Sequence, residues 1–360
     1  MHDSNTSNSH IQHTIVAVDI DLGTKNQRMR LLFYLFLNKV FNNMGYQKFV
    51  GTALVPIFIL LLSLPCKAQL STNFYDSTCH TALATINASV VDAVSRNGRN
   101  AALLIRLLFH DCFVQGCDAS LLLEGDGSEK RSPSNAGVEG YGIIDDAKAA
   151  VERVCPGVVS CADILAVAAR DASVAVDGPS WVVRLGRRDS PGSSAAEAAT
   201  DLPRGDFNLQ QLISNFQRKG LNEREMVALS GSHTLGQARC IRFRSRAYNA
   251  TNIDPAFATS LRENCPPTPP EGDDNLEPLD FVTPNRFDNN YFRNLVDSRG
   301  LLISDQALFD GGSSDSIVTE YVNNPGTFDS DFAAAMVRMS EITPLTGTSG
   351  SIRTVCTTAN

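Results

Sequence analysis

Several features that define common enzyme and binding classes are missing from this sequence. It has no glycine-rich loop that cradles phosphates and no dinucleotide-binding fingerprint, which argues against nucleotide-dependent chemistry. Gly231-Ser232-His233 does not match the Gly-x-Ser-x-Gly elbow of the serine hydrolases. No internal repeat, low-complexity tract or long linker divides the chain. What remains is one large domain or two small ones.

Charge is also scarce. Asp, Glu, Lys and Arg make up only 19% of the 360 residues, and the formal net charge is −8. Residues 69–360 alone hold 25 Lys and Arg against 36 Asp and Glu. This acidic balance argues against nucleic acid as a partner and permits cation binding. With 43% hydrophobic residues, the composition allows a sizeable core.

The N-terminal part contains a predicted signal peptide. Residues 50–64 are mostly apolar, and Lys48 precedes them. Cys66 and Ala68 put small residues at the −3 and −1 positions, which predicts cleavage after Ala68. At about 15 residues, the apolar run is short for a membrane span, which needs roughly 20.

The signal peptide divides the chain into three parts. Met44 stands where such a peptide would begin, so we assign residues 44–68 to the signal peptide and 69–360 to the mature domain. Residues 1–43 are then a non-native extension created by start-codon choice. Peptides from 1–43 in the unprocessed translation product would contradict this hypothesis and favour the alternative, a membrane anchor over residues 31–64.

Cysteine usage agrees with secretion. Of nine cysteines, the one inside the signal peptide is removed, and the even number left suits an oxidising compartment. Four disulfides are expected, although spacing leaves 105 pairings and favours only Cys112–Cys117. Asn87 and Asn249 begin glycosylation sequons, and Gln69 could cyclise to pyroglutamate after cleavage. The nine cysteines are Cys66, Cys79, Cys112, Cys117, Cys155, Cys161, Cys240, Cys265 and Cys356.

Helical patterns dominate the mature chain, so the predicted fold class is mainly α. Asn222 is expected to cap a helix that begins at Glu223, where acidic residues complement the helix dipole. Trp181-Val182-Val183 is the best strand signal, although it is too short for a sheet of its own. Helices are predicted around residues 83–94, 143–151, 164–169, 209–216, 223–229, 289–295 and 332–339.

A cation and a base are predicted on one helix. Arg106 and His110 are four residues apart, so a helix would place both on one face. The alternative is a buried Arg–His pair with a purely structural role. His110 with Cys112 also resembles a thiol-protease pair, but Cys117 is the expected disulfide partner of Cys112, which would then not be a free nucleophile.

The turn that follows this helix is rich in oxygen ligands. Asp111, Asp118 and Ser120 offer hard oxygen atoms, and Gly116 gives the turn freedom to bend. These residues predict a cation site, with a solvated loop as the alternative. Zinc held by the two nearby cysteines is a further alternative to a disulfide.

The mature chain has only three histidines, His80, His110 and His233. His233 ends a helical pattern and is bracketed by small residues, which permit close approach of something flat or bulky. One interpretation is a core histidine with satisfied hydrogen bonds. The other is that His110 and His233 face each other across a cofactor.

Motifs along the whole mature chain match those of one family. They are residues 106–120, Val159-Ser160-Cys161-Ala162-Asp163-Ile164, Leu185-Gly186-Arg187-Arg188-Asp189, residues 228–236, Phe287-Asp288-Asn289, Ser304-Asp305-Gln306 and Ile342-Thr343-Pro344-Leu345-Thr346-Gly347. Together they resemble the secretory plant haem peroxidases (class III), and the similarity covers essentially all of residues 69–360. This resemblance implies a mainly α haem peroxidase fold with very little β, in which two helical lobes enclose one b-type haem.

The resemblance implies roles for the residues around the haem. His233 would be the axial ligand of the iron, and Asp305 would accept a hydrogen bond from its other ring nitrogen. His110 would be the distal acid and base, Arg106 the distal cation, and Asn135 the hydrogen-bond partner that keeps His110 basic. The residues expected at the haem edge and the donor entrance are Phe109 and Pro203.

The resemblance also implies two calcium ions and four specific disulfides. The distal calcium ligands would be side chains of Asp111, Asp118 and Ser120 and carbonyls of Asp111, Val114 and Gly116, with Glu129 linking this site to His110. The proximal calcium ligands would be Thr234, Asp280, Thr283, Asp288 and the carbonyl of Arg286. The disulfides would be Cys79–Cys155, Cys112–Cys117, Cys161–Cys356 and Cys240–Cys265.

The implied function is an extracellular peroxidase that reduces hydrogen peroxide and oxidises small phenolic donors of the cell wall. It is expected to act as a monomer in the apoplast or wall rather than the vacuole, with no nucleic acid partner and no membrane span in the mature chain. The alternatives are a catalytically weak cell-wall haem-binding protein, a calcium-stabilised thiol hydrolase and an intracellular haem peroxidase. The intact haem-site residues argue against the first, and the signal peptide and eight cysteines argue against the last.

Three positions depart from the family pattern near the donor entrance. Gly205 replaces a second proline after Pro203, and Leu235 replaces a frequent phenylalanine. Arg242 stands where relatives can carry an aromatic residue. We expect these changes to affect the choice of donor and not the peroxide chemistry. In particular, Arg242 and Arg204 are expected to favour donors that carry carboxylates.

Overall fold

The computed structural model describes residues 70–359 of the chain. The predicted extension (residues 1–43), the predicted signal peptide (44–68) and Gln69 lie outside the described residues. Within the described range, no helix is long and apolar enough to cross a membrane.

Helices dominate the described residues, which confirms the mainly α prediction. The helices of the first half are α1 Ala82–Arg96, α2 Asn100–Phe113, α3 Tyr141–Val154, α4 Cys161–Ala175, α5 Ala195–Asp201 and α6 Leu209–Arg218. Those of the second half are α7 Glu223–Ser230, α8 Cys240–Asn249, α9 Pro255–Asn264, α10 Asn290–Val296, α11 Ile303–Gln306, α12 Asp315–Asn323 and α13 Pro325–Met339. Short 3₁₀ helices occupy Ser120–Leu122, Glu129–Arg131, Pro133–Asn135 and Gly231–Thr234.

Local capping chemistry sets where two of these helices begin. At α7, Oδ1 of Asn222 accepts from the backbone N–H of Glu225 at 2.9 Å, and Oε2 of Glu225 accepts from that of Asn222 at 2.8 Å. At α4, Oγ of Ser160 accepts from the N–H of Asp163 at 3.1 Å. Each bond satisfies a backbone donor that the first turn leaves without a partner. The predicted cap at Asn222 is therefore confirmed.

The described residues contain one short antiparallel strand pair, in which β1 (Gln237–Arg239) pairs with β2 (Leu276–Pro278). Trp181-Val182-Val183, the best strand signal, forms no strand. Trp181 and Val183 are buried while Val182 is 64% exposed, so the alternation is real. It comes from packing against the core, because no second strand lies beside this segment to pair with it.

The main core forms where α2 and α1 pack against α4. Nearly all of α4 is buried, and its many alanines let the neighbouring helices approach closely. A smaller cluster packs around the Cys240–Cys265 disulfide, with Phe243 and Leu261 at its centre. One face of α2 packs into the main core, whereas Arg106 on the same helix keeps exposed surface.

A buried ion pair ties α4 to the segment that follows it. Nη1 of Arg187 lies 2.9 Å from Oδ1 of Asp163, and neither side chain has exposed surface. Oη of Tyr75 donates to Oδ2 of Asp163 at 2.7 Å, and Nε of Arg187 donates to the carbonyl of Ser340 at 2.9 Å. These bonds offset the loss of hydration that burial imposes on both charges.

Arg187→Met should destabilise the fold strongly, because it leaves Asp163 buried without its counter-charge. We expect the free energy of unfolding, measured by urea denaturation with disulfides intact, to fall by about 3–5 kcal/mol. Arg204→Gln is the control, since it breaks the exposed Arg204–Asp206 pair and should cost less than ~1 kcal/mol. An equally small loss in both variants would contradict the role of the buried pair.

Candidate active site

One helix, α2, carries the predicted cation and base. Leu104, Leu107 and Leu108 of this helix are fully buried in the core, whereas Arg106 keeps exposed surface. Nε of Arg106 donates to Nε2 of His110 at 3.0 Å. The four-residue spacing therefore brings the two side chains into contact, as the helix prediction requires.

A chain of hydrogen bonds determines which nitrogen of His110 carries the proton. Nδ1 lies 2.6 Å from Oδ1 of Asn135, whose Nδ2 donates to the carbonyl of Glu129 at 2.8 Å. Because an amide oxygen only accepts, this network assigns the ring hydrogen to Nδ1 and leaves a lone pair on Nε2. Burial, and then the charge of Arg106, lowers the pKa of His110 to about 3. The ring is therefore a neutral base at physiological pH.

Arg106 faces open space inside the protein. Its side chain has exposed surface, yet burial, with Arg242 as the next cause, lowers its pKa to about 10. A side chain that is both deep and accessible lines a cavity rather than the outer surface. The half-buried ring of Phe109 stands nearby, at 85° to the His110 ring.

His233 lies on the 3₁₀ turn Gly231–Thr234 directly after α7. Its Nδ1 is 2.7 Å from Oδ1 of Asp305, and its side chain is 35% exposed. Asp305 is buried and accepts from Oη of Tyr291 at 3.1 Å and from the N–H of Leu302 at 2.8 Å. The carboxylate thus engages Nδ1, and within residues 70–359 no group hydrogen-bonds to Nε2. This is the arrangement of a metal-ligating histidine.

The small residues near His233 serve the packing of the protein itself. A Cβ on Gly231 would collide with the ring of Phe328 and lie 2.8 Å from that of Phe292. Gly236 has a φ of +88°, and its Cβ would lie 2.8 Å from that of Ala102. The expectation that these residues make room for a flat group is therefore wrong for both glycines.

Buried oxygen atoms crowd together at the end of α2 and in the chain that follows it. Asp111, Asp118, Ser120 and Glu129 are all buried, and neither Oγ of Ser120 nor Oε2 of Glu129 has a hydrogen-bond partner. Burial raises the pKa of Glu129 to about 8 and that of Asp118 to about 6. Burial and the neighbouring carboxylates raise the pKa of Asp111 well above its usual range. The charge of Arg353 opposes this rise at Asp118, and the buried oxygen atoms without hydrogen-bond partners fit a hard cation.

Of the three expected carbonyl ligands, Asp111 accepts from the N–H of Val114 at 3.1 Å, and the other two, Val114 and Gly116, belong to the loop itself. Gly116 has a φ of +125°, which glycine adopts at little cost. The carbonyl of Val114 accepts from the N–H of Gly116 at 2.7 Å. One lone pair of that carbonyl remains for a further partner.

A second oxygen cluster lies beside His233. Oγ1 of Thr234 is 3.3 Å from Oδ2 of Asp280 and 3.5 Å from both the carbonyl of Arg286 and Oδ1 of Asp288. Oγ1 of Thr283 is 2.8 Å from Oδ2 of Asp288 and 3.2 Å from Oδ2 of Asp280. Asn290 and Asn294 also donate to these carboxylates, at 3.1 and 2.9 Å. The mixture of carboxylate, hydroxyl and carbonyl oxygens suits a cation.

The ligand types in both clusters point to calcium rather than a transition metal. Within residues 70–359, no group of three or more His, Cys, Asp or Glu side chains forms a metal site by itself. The clusters instead combine carboxylates with hydroxyl and carbonyl oxygens, the mixture that calcium prefers.

The residues expected at the donor entrance occupy different settings. Pro203 is half-buried, and Leu235 is buried in the core, so Leu235 has almost no surface with which to contact a donor. Arg204 forms two hydrogen bonds with Asp206, at 2.9 and 2.6 Å. Arg242 is exposed and lies against the turn that carries Asn135.

Two residues that support the site make contacts that are distant in sequence. Tyr291 supports Asp305, and Arg353 donates from Nη2 to the carbonyl of Ala119 in the distal loop at 2.6 Å. Sequence reasoning missed both residues, because their partners are distant along the chain and no local pattern marks them. The disulfides present are Cys79–Cys155, Cys112–Cys117, Cys161–Cys356 and Cys240–Cys265, the pairs that the resemblance implied.

Comparison with known proteins agrees with this fold and site. Residues 86–324 match the family model described as peroxidase. A basic peroxidase of Zinnia elegans is 72% identical over 319 residues, which cover 87% of this chain and 99% of that protein. The lignin-forming anionic peroxidase of Nicotiana sylvestris is 57% identical over 324 residues, with 88% and 100% coverage. Peroxidase P7 of Brassica rapa is 53% identical over 296 residues, with 81% and 100% coverage.

A mainly helical fold with two histidines beside oxygen-rich loops agrees with the haem peroxidase class. The chain belongs to the peroxidase family and, within it, to the secretory plant haem peroxidases of class III. It is a peroxidase enzyme, and the catalytically weak binding protein considered as an alternative is not favoured. Haem and calcium are the cofactors that this family suggests.

The low pKa of His110 predicts how peroxide reactivity depends on pH. The base is unprotonated above its pKa, so the rate constant should hold level through mildly acidic pH and fall only as the pH approaches about 3. Asn135→Asp would place a carboxylate on Nδ1, stabilise the charged ring and move the acid limb to higher pH by roughly 1–3 pH units. Stopped-flow pH profiles of both holoenzymes test this. An acid limb at the same pH in both would refute the assigned hydrogen bond.

Proposed function

We propose that this peroxidase holds one b-type haem between His110 and His233 and uses it to reduce hydrogen peroxide with small phenolic donors. One peroxide and two phenols give two waters and two phenoxyl radicals. The mature domain, residues 69–360, would be secreted to the apoplast or cell wall after loss of residues 44–68. The name of the Nicotiana relative, lignin-forming peroxidase, supports phenols as the donor class.

The residues present suit this cofactor. Nε2 of His233 would be the axial ligand, and the bond from Nδ1 to Asp305 would make it more electron-donating. The redox chemistry, uptake of two oxidising equivalents from peroxide and their release one at a time, would be supplied by the bound haem. Phe109 would lie at the haem edge, and Pro203 at the path of the donor.

His110 would move the proton that peroxide cleavage requires. Its unprotonated Nε2 accepts a proton from the near oxygen of hydrogen peroxide and then donates it to the far oxygen, which leaves as water. Arg106 stabilises the negative charge that develops on the departing oxygen. Its present bond to Nε2 must first give way to the peroxide O–H, and its other N–H groups remain available to the oxygen atoms.

The observation that carries this proposal is the pair of hydrogen bonds on the His110 ring. The acceptor at Nδ1 is a neutral amide, so the ring stays neutral and Nε2 stays basic. A structural Arg–His pair would have no need for an acceptor that fixes this tautomer.

The two oxygen clusters would each hold one calcium ion. The distal ion would bind Asp111, Asp118, Ser120 and the nearby carbonyls, next along the chain to His110. Glu129 connects that cluster to the base, because its carbonyl accepts from Asn135. The proximal ion would bind the cluster beside His233, so each ion would fix the loop next to one histidine.

His110→Ala should slow the reaction with peroxide by at least ~10²–10⁴-fold, the usual contribution of a general base. Haem content, read from the absorbance of the purified protein, should be unchanged. His80→Ala is the matched control, because His80 is exposed and lies outside the site; this variant should react at the wild-type rate. Near-wild-type turnover in His110→Ala would remove His110 from the mechanism.

Removing calcium should lower both activity and thermal stability, since it leaves two clusters of mutually repelling oxygens. Metal analysis should find two calcium ions in the wild type and one in Ser120→Ala or in Asp288→Asn. Calcium added back after chelation should restore activity in the wild type. Fully active wild-type enzyme without bound calcium would contradict both sites.

A further inference from the structure

Arg242 is a guanidinium without a carboxylate partner. It is the third residue of α8 and is exposed. Its recorded hydrogen bonds run from Nη2 to the carbonyls of Pro133 and Ala136, both at 3.4 Å. Within residues 70–359 no acidic side chain comes within ion-pair distance of it. Most of its N–H donors are therefore free for a ligand.

Two sets of interactions connect Arg242 with Asn135 and Arg106 on the one hand and with the segment near Pro203 on the other. Pro133 and Ala136 flank Asn135, the residue that holds His110. Burial is the main cause of the low pKa of Arg106, and the charge of Arg242 is the second, so Arg242 lies near Arg106. Arg204, and to a smaller extent Arg242, lowers the pKa of Asp206, which lies three residues after Pro203.

The neighbouring arginines differ from Arg242, because carboxylates already neutralise them. Arg204 is paired with Asp206 at 2.6 Å, which makes Arg204 a poor anion site despite the expectation from sequence. Arg239 contacts Asp274 at 3.1 Å and Glu139 at 3.8 Å. The charged groups that ion pairs or charge interactions connect to Arg106 and Arg242 include Arg99, Arg204, Arg239, Glu139, Asp206 and Asp274.

Arg106 and Arg242 are therefore the two of these guanidinium groups that form no ion pair within residues 70–359, whereas the chain as a whole carries −8. A local positive potential of this kind concentrates anions at the cavity mouth. A guanidinium presents a planar pair of donors that matches a carboxylate. A phenol with a carboxylate at the far end would place its ring towards the cavity and its anionic group on Arg242.

We propose that Arg242 selects carboxylate-bearing phenols, such as 4-hydroxycinnamates, over their neutral analogues by binding the carboxylate at the mouth of the distal cavity. This inference rests on the proposed function, because it concerns which donor the peroxidase oxidises. Arg242 contacts the far end of the donor and takes no part in peroxide cleavage.

The test compares ferulate with coniferyl alcohol, its neutral analogue, as donors of the holoenzyme. An exposed ion pair contributes about 0.2–1 kcal/mol, so the ratio of kcat/KM values should favour ferulate by up to roughly fivefold. Arg242→Gln should remove this preference, and Arg242→Glu should reverse it. Arg204→Gln, the matched control, should keep it. Equal use of both donors by the wild type, or a preference that survives in Arg242→Gln, would overturn the inference.

A binding measurement separates this inference from the proposed function. Calorimetric titration of the resting holoenzyme with 4-methoxycinnamate and with its methyl ester needs no turnover. The acid should bind more tightly than the ester in the wild type and equally in Arg242→Gln; equal affinities in the wild type would refute the carboxylate site. If neither phenol is oxidised at all, the proposed function fails, and the titration alone decides the role of Arg242.

Discussion

The hydrogen bond at Nδ1 of each histidine decides what the opposite ring nitrogen can do. His110 meets a neutral amide oxygen of Asn135, so its ring stays neutral and Nε2 is free to exchange a proton. His233 meets the buried carboxylate of Asp305, which increases the electron density on a nitrogen suited to bind iron. The two histidines therefore differ in chemistry because Nδ1 of each is bonded to a different acceptor. The rest of the structure serves to hold those partners in place.

Both partners are held by groups far from the histidines in sequence. Asn135 sits on a 3₁₀ turn and donates to the carbonyl of Glu129, whose side chain belongs to the distal oxygen cluster. His110 and Asp111 are consecutive, so one end of α2 presents the base and the first oxygen of that cluster. Loss of order in the distal oxygen cluster would therefore displace His110 in two ways: by moving the end of α2, and by moving Asn135.

Sequence patterns predicted the parts of this structure that local contacts determine. The helices, the Asn222 cap and the Arg106–His110 contact each depend on residues within one turn of each other. The four disulfide pairs did not follow from spacing, which left every pairing open except Cys112–Cys117, and they came only from the family resemblance. The Trp181 segment alternated like a strand but had no strand to pair with.

Other features could not be predicted because they depend on neighbours that only the fold supplies. Position 231 has no room for a side chain because the rings of Phe328 and Phe292, which are distant in the chain, pack against it. Arg204 and Arg242 look alike in sequence, but Asp206 neutralises Arg204 and leaves Arg242 as the available cation. The supporting contacts of Tyr291 and Arg353 likewise carry no local signature.

The central proposal is that the two histidines are not interchangeable: His233 would ligate the haem iron and His110 would not. The direct measurement is the absorbance spectrum of the resting haem-loaded protein for the wild type, His110→Ala and His233→Ala, each with and without added imidazole. The account predicts that only His233→Ala changes the iron ligation and that imidazole restores it. Loss of the resting ligation in His110→Ala, with a normal spectrum in His233→Ala, would contradict it.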